Sequence, residues 1–286
     1  MQIGFIGQGY IGKNYADDFE QRGYTVVRYS LEPQYAGNRE AIAACDIVFI
    51  AVPTPTIPGK GGDDNLVRRV LLLIGEGKIV VIKSTVLPGT TESIQAEYPT
   101  KTVLHSPEFL VESTAAYDAA HPTRTIVGMP HDTPAHRDAA KLLVSILPKA
   151  PFELVCSSRE SELIKYTSNC YLFTKVVFAN VFYDIAQGFG ADWEKVMAGV
   201  GADPRIGPSH LKVADASKHP GATIGRGAGG HCLPKDFAAL RAAYEHLTSA
   251  NQSNVALLRT LEQKNIELLK TSGKDLDLLA QIYGSF

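Results

Sequence analysis

One segment concentrates reactive side chains: Gly227-Ala228-Gly229-Gly230-His231-Cys232-Leu233-Pro234-Lys235-Asp236. A glycine-rich turn there delivers Cys232 to the start of a helix. The helix dipole and the neighbouring Lys235 both favour a thiolate, the nucleophilic form of cysteine. Asp236, four residues from the thiol, has the reach to order a water or act as a base. Cys45, Cys156 and Cys170 sit within apolar runs and read as packed core residues. Lys165 and Asn169 are four apart in a helical stretch and therefore share one face. Alone they read as a solvent-facing polar stripe; the cysteine turn makes them site candidates. Glu108 and Glu112 are also four apart, following a strand. Surface charge is the usual fate of such a pair, but hydrolysis of a thioester on a nearby cysteine needs a carboxylate.

A second motif lies at the other end. Gly7-Gln8-Gly9-Tyr10-Ile11-Gly12 is GxGxxG between an apolar strand and a helical stretch. Gly7 permits the tight turn, Gly9 lets a pyrophosphate approach the backbone, and Gly12 allows close helix–strand packing. Ser30 stands where an acid would select NAD, with Glu32 two residues on as a substitute. Arg28 or Arg39 could instead meet a 2′-phosphate, so NADP stays open; Arg28 reads equally well as a solvated residue.

Apolar, β-branched runs at Gln2–Ile6, Thr25–Tyr29, Ile47–Val52 and Ile79–Ile82 predict strands, with further strands at Thr102–Leu104, Thr125–Val127 and Phe152–Val155. Helical stretches near 11–22, 39–44 and 64–75 alternate with the first of them, which predicts a parallel, doubly wound α/β sheet of Rossmann type. Ser157 with Glu160 forms a capping box, and the next thirty or so residues hold no proline and one glycine, Gly188. That spacing predicts one helix to about Phe189, long enough to run through two domains or along a dimer axis. Helices at 192–199, 235–247, 251–271 and 274–282 complete a mostly helical second domain. The 286 residues fit two domains, 1–156 and 157–286. The Gly-, Ala- and Ser-rich loop 214–230 reads as mobile or ligand-ordered. A net charge of −2 argues against a nucleic-acid or acidic-membrane surface. The four cysteines form neither a metal nor a disulfide pattern, no apolar run reaches bilayer length, and a reducing cytoplasm is the expected setting.

GQGYIG at 7–12, VPTPT at 52–56, KSTVLPGTT at 83–91, SPEFLVES at 106–113, ELIKYTSNC at 162–170, DPRIG at 203–207 and GGHCLPKD at 229–236 occur in an order that resembles the UDP-glucose/GDP-mannose dehydrogenase family. The resemblance runs from residue 1 to roughly 240. It implies a four-electron oxidation of a nucleotide sugar's primary alcohol to a carboxylate, consuming two nicotinamide cofactors. Cys232 would capture the aldehyde, and Lys165 and Asn169 would stabilise the oxyanion. Asp236 and Thr85 would manage proton and water traffic, and Glu108 would assist hydrolysis. Gly7, Gly9, Tyr10, Ile11, Gly12, Ser30, Val52, Pro53, Thr54, Ser84, Thr85, Glu112 and Lys235 would contact NAD. Phe109, Leu110, Lys165, Asn169 and Gly229 would line the sugar site, with Arg205 reaching substrate across a homodimer built on helix 158–189.

The chain departs from the family pattern at Ser30, at His210 where an aromatic is usual, and in a longer stretch before the cysteine motif. His231 resembles relatives acting on N-acetylated sugars, whereas Pro234-Lys235-Asp236 resembles glucose and mannose enzymes. Family members continue into a third, nucleotide-gripping domain, while this sequence stops at Phe286. The expectation is a compact enzyme in which the dimer partner and the 214–230 loop replace that domain, a different substrate, or a truncated sequence. A two-electron hydroxyacid dehydrogenase of the 6-phosphogluconate type shares the Lys-x-x-x-Asn pair but needs no cysteine. A non-catalytic cofactor-binding subunit is the third alternative.

Overall fold

The computed structural model describes residues 1–59, 61–217 and 221–284. In chain order its elements are β1 (Gln2–Ile6), α1 (Tyr10–Gln21), β2 (Thr25–Tyr29), α2 (Pro33–Ala36), α3 (Arg39–Ala44), β3 (Ile47–Ile50), β4 (Thr56–Ile57), β5 (Gly61–Gly62), α4 (Asn65–Leu71), β6 (Ile79–Ile82), α5 (Thr90–Glu97), β7 (Thr102–His105), α6 (Ala115–Ala120), β8 (Arg124–Met129), α7 (Pro134–Ile146), β9 (Phe152–Ser157), α8 (Ser158–Gly188), α9 (Trp193–Gly201), β10 (Ala214–Ala216), β11 (Ile224–Arg226), α10 (Leu233–Glu245), α11 (Gln252–Ser272) and α12 (Leu276–Tyr283). They fall into two compact units, Met1–Thr54 with Asp63–Lys165, and Pro55–Gly62 with Tyr166–Phe286.

The first unit is built on a seven-stranded sheet in the order β2-β1-β3-β6-β7-β8-β9. Period-two alternation decides which face each strand residue serves. Ile3, Phe5, Ile47, Phe49, Val81 and Leu104 point into one core with α1 and α7. Ile6, Val48, Ile50, Val80, Ile82 and Val103 point into the other, with Ile42, Val67, Val70 and Ile94. With both faces covered, the strands are continuously apolar, as parallel sheets require.

The all-parallel expectation needs one correction: β8 pairs antiparallel with β7, while β9 is parallel to β8. The link between β7 and β8 carries a single 3-10 turn, Glu112–Thr114, and the six-residue α6. At 1.5 Å per residue that helix is about 9 Å long, too short to return the chain along the sheet, so it turns back at the same end. Helices α5, α6 and α7 fall where no element is predicted. For α7 the sign was present, since Thr133 caps it through the His136 amide and Pro134 opens it. The capping box formed as expected: Ser157 Oγ accepts the Glu160 amide at 3.3 Å and Glu160 Oε2 accepts the Ser157 amide at 2.8 Å. The helix it starts, α8, runs 31 residues.

The second unit is mostly helical. Phe173, Val177, Ala228 and Phe237 form one small core, and Ala179, Ala186, Trp193, Leu211 and Val213 another. The β4–β5 ribbon belongs here, with Thr56 donating its hydroxyl to the Lys235 carbonyl at 3.0 Å. The 214–230 segment departs from the loop expected for it: β10 and β11 form an antiparallel ribbon, Ala214 opposite Arg226 and Ala216 opposite Ile224. Residues 218–220 of that segment lie outside the described residues. No helix among the described residues is long and apolar enough to cross a membrane.

Candidate active site

In the first unit the β1–α1 turn has the form that a dinucleotide needs. Gly7 adopts φ +92°, and a Cβ there would collide with the Ala51 carbonyl oxygen. A Cβ at Gly12 would collide with the Gly7 carbonyl oxygen, so the helix can lie this close to the strand only without a side chain. Gly9, the N-cap of α1, differs: a Cβ there would meet nothing within 4 Å, and no side chain caps the helix. An open approach to a helix N-terminus fits a pyrophosphate. These residues fit a nicotinamide dinucleotide.

At the end of β2, Arg28 is neither solvated nor a free cation. Its guanidinium bonds Asp17 at 2.6 Å and Glu20 at 2.8 Å. Ser30 Oγ accepts the Glu32 amide at 3.2 Å. Arg39 is exposed at the start of α3. Ser84 links the ends of β3 and β6: Val52 N–H donates to its Oγ at 3.0 Å, and its hydroxyl donates to the Val52 carbonyl at 2.7 Å. Thr85 follows, half-buried; Thr54 is half-buried and Pro53 exposed.

Behind this edge sits a buried charge cluster. Lys165, 5% exposed, donates to Glu108 Oε1 at 2.8 Å, and Glu108 is 2% exposed. Neither is therefore the surface charge that its type would suggest. Glu108 Oε2 also accepts the Leu110 amide at 2.7 Å. Phe109 lies beneath the Arg124 guanidinium, 3.8 Å from its ring centre, with the Lys165 ammonium at 5.6 Å. Leu110 packs partly against the core, and Glu112 is exposed.

Two buried residues of this region carried no expectation. Lys83 donates to the Ser106 carbonyl at 2.9 Å and lies 4.2 Å over the Tyr15 ring. Burial pushes its ammonium down to about 7, against the pull of Glu108 and with the repulsion of Lys165. A lysine directly after the apolar strand β6 was the readable sign. Glu162, at the start of α8, accepts the amides of Gly89 and Thr91 at 2.6 and 2.8 Å and the Thr91 hydroxyl at 2.6 Å. It thereby ties the N-terminus of α5 to the helix that carries Lys165 one turn later.

Asn169 lies in the second unit, one turn after Lys165 along α8. It is 8% exposed, which removes the solvent-stripe reading for both residues. Its Nδ2 donates to Asp236 Oδ2 at 2.5 Å, and Lys235 Nζ donates to Asp236 Oδ1 at 2.5 Å. Asp236 is 1% exposed, held in the first turn of α10. Cys232 is the half-buried N-cap of that helix. The Lys235 ammonium is thus engaged by Asp236 and does not face the thiol alone. Of the other cysteines only Cys45 is fully buried; Cys156 and Cys170 are half-buried, and burial pushes them up to about 11 and about 12. Arg205 is exposed and paired with Asp203 at 2.6 Å. His210 takes φ +62°. No cluster of metal-ligating side chains occurs among the described residues.

Residues 28–145 match the NAD binding domain of the UDP-glucose/GDP-mannose dehydrogenase family, and residues 159–266 match its central domain. Among curated relatives, UDP-glucose 6-dehydrogenase YwqF of Bacillus subtilis is 35% identical over 229 residues, covering 74% of this chain and 47% of that protein. UDP-glucose 6-dehydrogenase AglM of Haloferax volcanii is 30% identical over 292 residues, covering 85% of this chain and 65% of that protein. The chain thus spans about half to two thirds of the length of these relatives. Among solved structures, a UDP-glucose dehydrogenase from Pyrobaculum islandicum superposes with a TM-score of 0.78 at 30% identity, covering 93% of this chain and 68% of that one. Two adjoining family domains matched in sequence, and a similar fold, place this chain in the UDP-glucose/GDP-mannose dehydrogenase family, to which it belongs.

Proposed function

We propose that this protein oxidises the C6 alcohol of a nucleotide sugar to the carboxylate, UDP-glucose to UDP-glucuronate being the first choice of substrate. Residues 1–156 serve as the dinucleotide domain and 157–286 as the helical catalytic and dimerisation domain. The observation that carries this reading is the pairing of two buried donors with two buried carboxylates: Lys165 with Glu108, and Asn169 with Asp236. Such donors cost little reorganisation when negative charge develops on a substrate oxygen.

When bound, the nicotinamide supplies the hydride acceptor for each of two oxidations. The first hydride leaves C6 as the hydroxyl proton leaves its oxygen, and Asp236 Oδ2 and Glu108 Oε1 are the proposed proton holders. The Cys232 thiolate adds to the aldehyde carbon, forming the C–S bond of a thiohemiacetal whose oxyanion is held by Lys165 Nζ and Asn169 Nδ2. The second oxidation leaves a thioester. Water, oriented by Thr85 and Asp236 and deprotonated with help from Glu108, adds to that carbon, and the C–S bond breaks to release carboxylate and thiolate. The balance is one alcohol and one water consumed, two hydrides transferred, and the carboxylate and three protons released.

Gly7, Gly9 and Gly12 hold the cofactor pyrophosphate, with Tyr10, Ile11, Val52, Pro53, Thr54, Ser84, Glu112 and Lys235 around the rest of the molecule. NAD is proposed over NADP because Arg28, the cation of β2, is already neutralised by Asp17 and Glu20. Phe109, Leu110 and Gly229 line the sugar site. A homodimer along α8 is proposed because Tyr171, Phe178, Phe182 and Ile185 form an exposed apolar stripe at helical spacing. Arg205 would meet substrate across it.

The test is a panel of UDP-glucose, UDP-N-acetylhexosamines and GDP-mannose with NAD or NADP, following reduced-cofactor absorbance. Two reduced cofactors per sugar support the thioester route, and one supports the two-electron alternative. Intact cofactor binding with no turnover on any sugar would indicate a non-catalytic subunit. A Cys232→Ser protein with full four-electron turnover would overturn the mechanism.

A further inference from the structure

We infer that Lys274 and Asp275, in the turn between α11 and α12, are positioning residues that fix where Cys232 is presented. This rests on Cys232 being the nucleophile, as proposed above. The strand end and turn that lead to the thiol, Gly225 to Gly230, contain four glycines, two of them at positive φ, Gly227 at +93° and Gly230 at +76°. A backbone of this composition has few side chains to fix its own path. It is held from outside. Ser272 Oγ accepts the Arg226 amide at 2.9 Å. Asn265, fully buried, accepts the Ala228 amide at 2.7 Å and donates to the Ala228 carbonyl at 2.9 Å. Lys274 Nζ donates to the Gly227 carbonyl at 3.1 Å and the Gly225 carbonyl at 3.5 Å. Asp275 Oδ2 accepts the Gly230 amide at 2.8 Å and the Ser217 hydroxyl at 2.5 Å.

The two charged residues are each 5% exposed, and polar groups buried this deeply are kept only where they bind something. Both bind the chain immediately before the thiol: Gly230 is two residues from Cys232. A Cβ at Gly229 would collide with Asp275 Oδ2 and stand 2.8 Å from Lys274 Cε, so the turn is fitted to these two side chains. Asp275 itself sits at φ +52°, ψ +37°, a conformation that favours glycine, and as N-cap of α12 it makes no capping bond to its own helix. The carboxylate serves the cysteine turn instead of the helix that it begins. Ser272, Lys274 and Asp275 all lie beyond the residues matched by the central domain, 159–266. Placement of a nucleophile is exacting, since a misplacement of about 1 Å costs on the order of a hundredfold in rate.

The experiment uses Asp275→Gly and Lys274→Met in the full chain. Glycine suits the positive φ, so Asp275→Gly removes the carboxylate without straining the turn. Three quantities are read: melting temperature, the rate of Cys232 alkylation by iodoacetamide against pH resolved by peptide mass, and kcat and KM for sugar and cofactor. We expect Asp275→Gly to melt within about 3 °C of wild type. Its Cys232 should alkylate about tenfold more slowly at neutral pH, with the pH midpoint moved up, as the thiol leaves the N-terminal turn that favours thiolate. The kcat should fall about tenfold or more while cofactor KM holds. Lys274→Met should move the same readouts in the same direction. Alkylation rates and midpoints within about twofold of wild type in both variants would overturn the inference. So would a melting temperature that collapses while the midpoint stays put, which marks a purely structural role. Alkylation is read without turnover, so a Cys232→Ser protein that stays fully active defeats the nucleophile reading separately.

Discussion

Replacing Glu108 by Gln should unfold the first unit more easily than almost any other single polar substitution in it. Lys165 Nζ lies 2.8 Å from Glu108 Oε1, and the two side chains are 6% and 3% exposed. At an effective dielectric of about 20 that separation gives a gross attraction of about 6 kcal/mol, which offsets the desolvation of both ions. Removing the anion leaves the Lys165 ammonium buried, and Lys83 beside it loses the charge that pulls its own ammonium toward protonation. The expected loss is about 3–5 kcal/mol. Lys165→Met should cost a similar amount, because it leaves the Glu108 carboxylate buried without the ammonium, held by the Leu110 amide. The double variant Glu108→Gln/Lys165→Met should return to within about 1 kcal/mol of wild type, since neither buried ion of the pair then remains. Thermal and urea unfolding of the cofactor-free protein reads all three. At about 2–4 °C per kcal/mol, each single variant should melt roughly 6–20 °C lower. Single variants that lose less than about 1 kcal/mol, or a double variant worse than either single, would refute the buried-pair argument.

Lys83 should give stability a pH slope: with its ammonium at about 7 when folded and 10.5 ordinarily, the unfolded chain holds more protons between those values. Stability therefore rises as pH climbs from 7 toward 10, by at most about 1.4 kcal/mol per unit, and Lys83→Met should abolish that slope in urea midpoints taken at both ends. Glu245 behaves oppositely. Hydrogen bonds from Arg259 and then Arg241 hold it at about 2, so its contribution is complete above 4.5 and is lost as pH falls toward 2. Glu245→Gln should flatten that acid limb, and an unchanged acid melting curve would count against it. Gly9→Ala should melt like wild type but bind NAD at least about tenfold more weakly by calorimetry, because its Cβ points into open space. Gly12→Ala should instead lose on the order of 2 kcal/mol or more of stability, since its Cβ meets the Gly7 carbonyl.

Local chemistry was legible wherever the chain itself carried the reason. The apolar, β-branched runs Ile47–Ile50 and Ile79–Ile82, the Ser157–Glu160 box and the glycine turn at 7–12 each specify their structure within a few residues. The Cys232 turn, likewise, could be placed at a helix start from its own residues. What stayed hidden depended on partners far along the chain. Arg28 reads as a solvated cation until α1 brings Asp17 and Glu20 against it. The 214–230 segment reads as a loose loop until Asn265, Ser272, Lys274 and Asp275 take up its amides and carbonyls.

Residue types along the chain were enough to place the seven strands of the sheet, the long α8 and the candidate reactive side chains, because apolar runs, caps and glycine turns act over one or two turns of chain. Tertiary structure alone decided which of those side chains are charged partners and which are bystanders. Lys165 and Glu108 are 57 residues apart, and Asn169 and Asp236 are 67 apart. Whether such groups lie in water or in a low-dielectric interior is set only when the elements that carry them pack, and that burial is what sets the partners of this lysine, this amide and these two carboxylates.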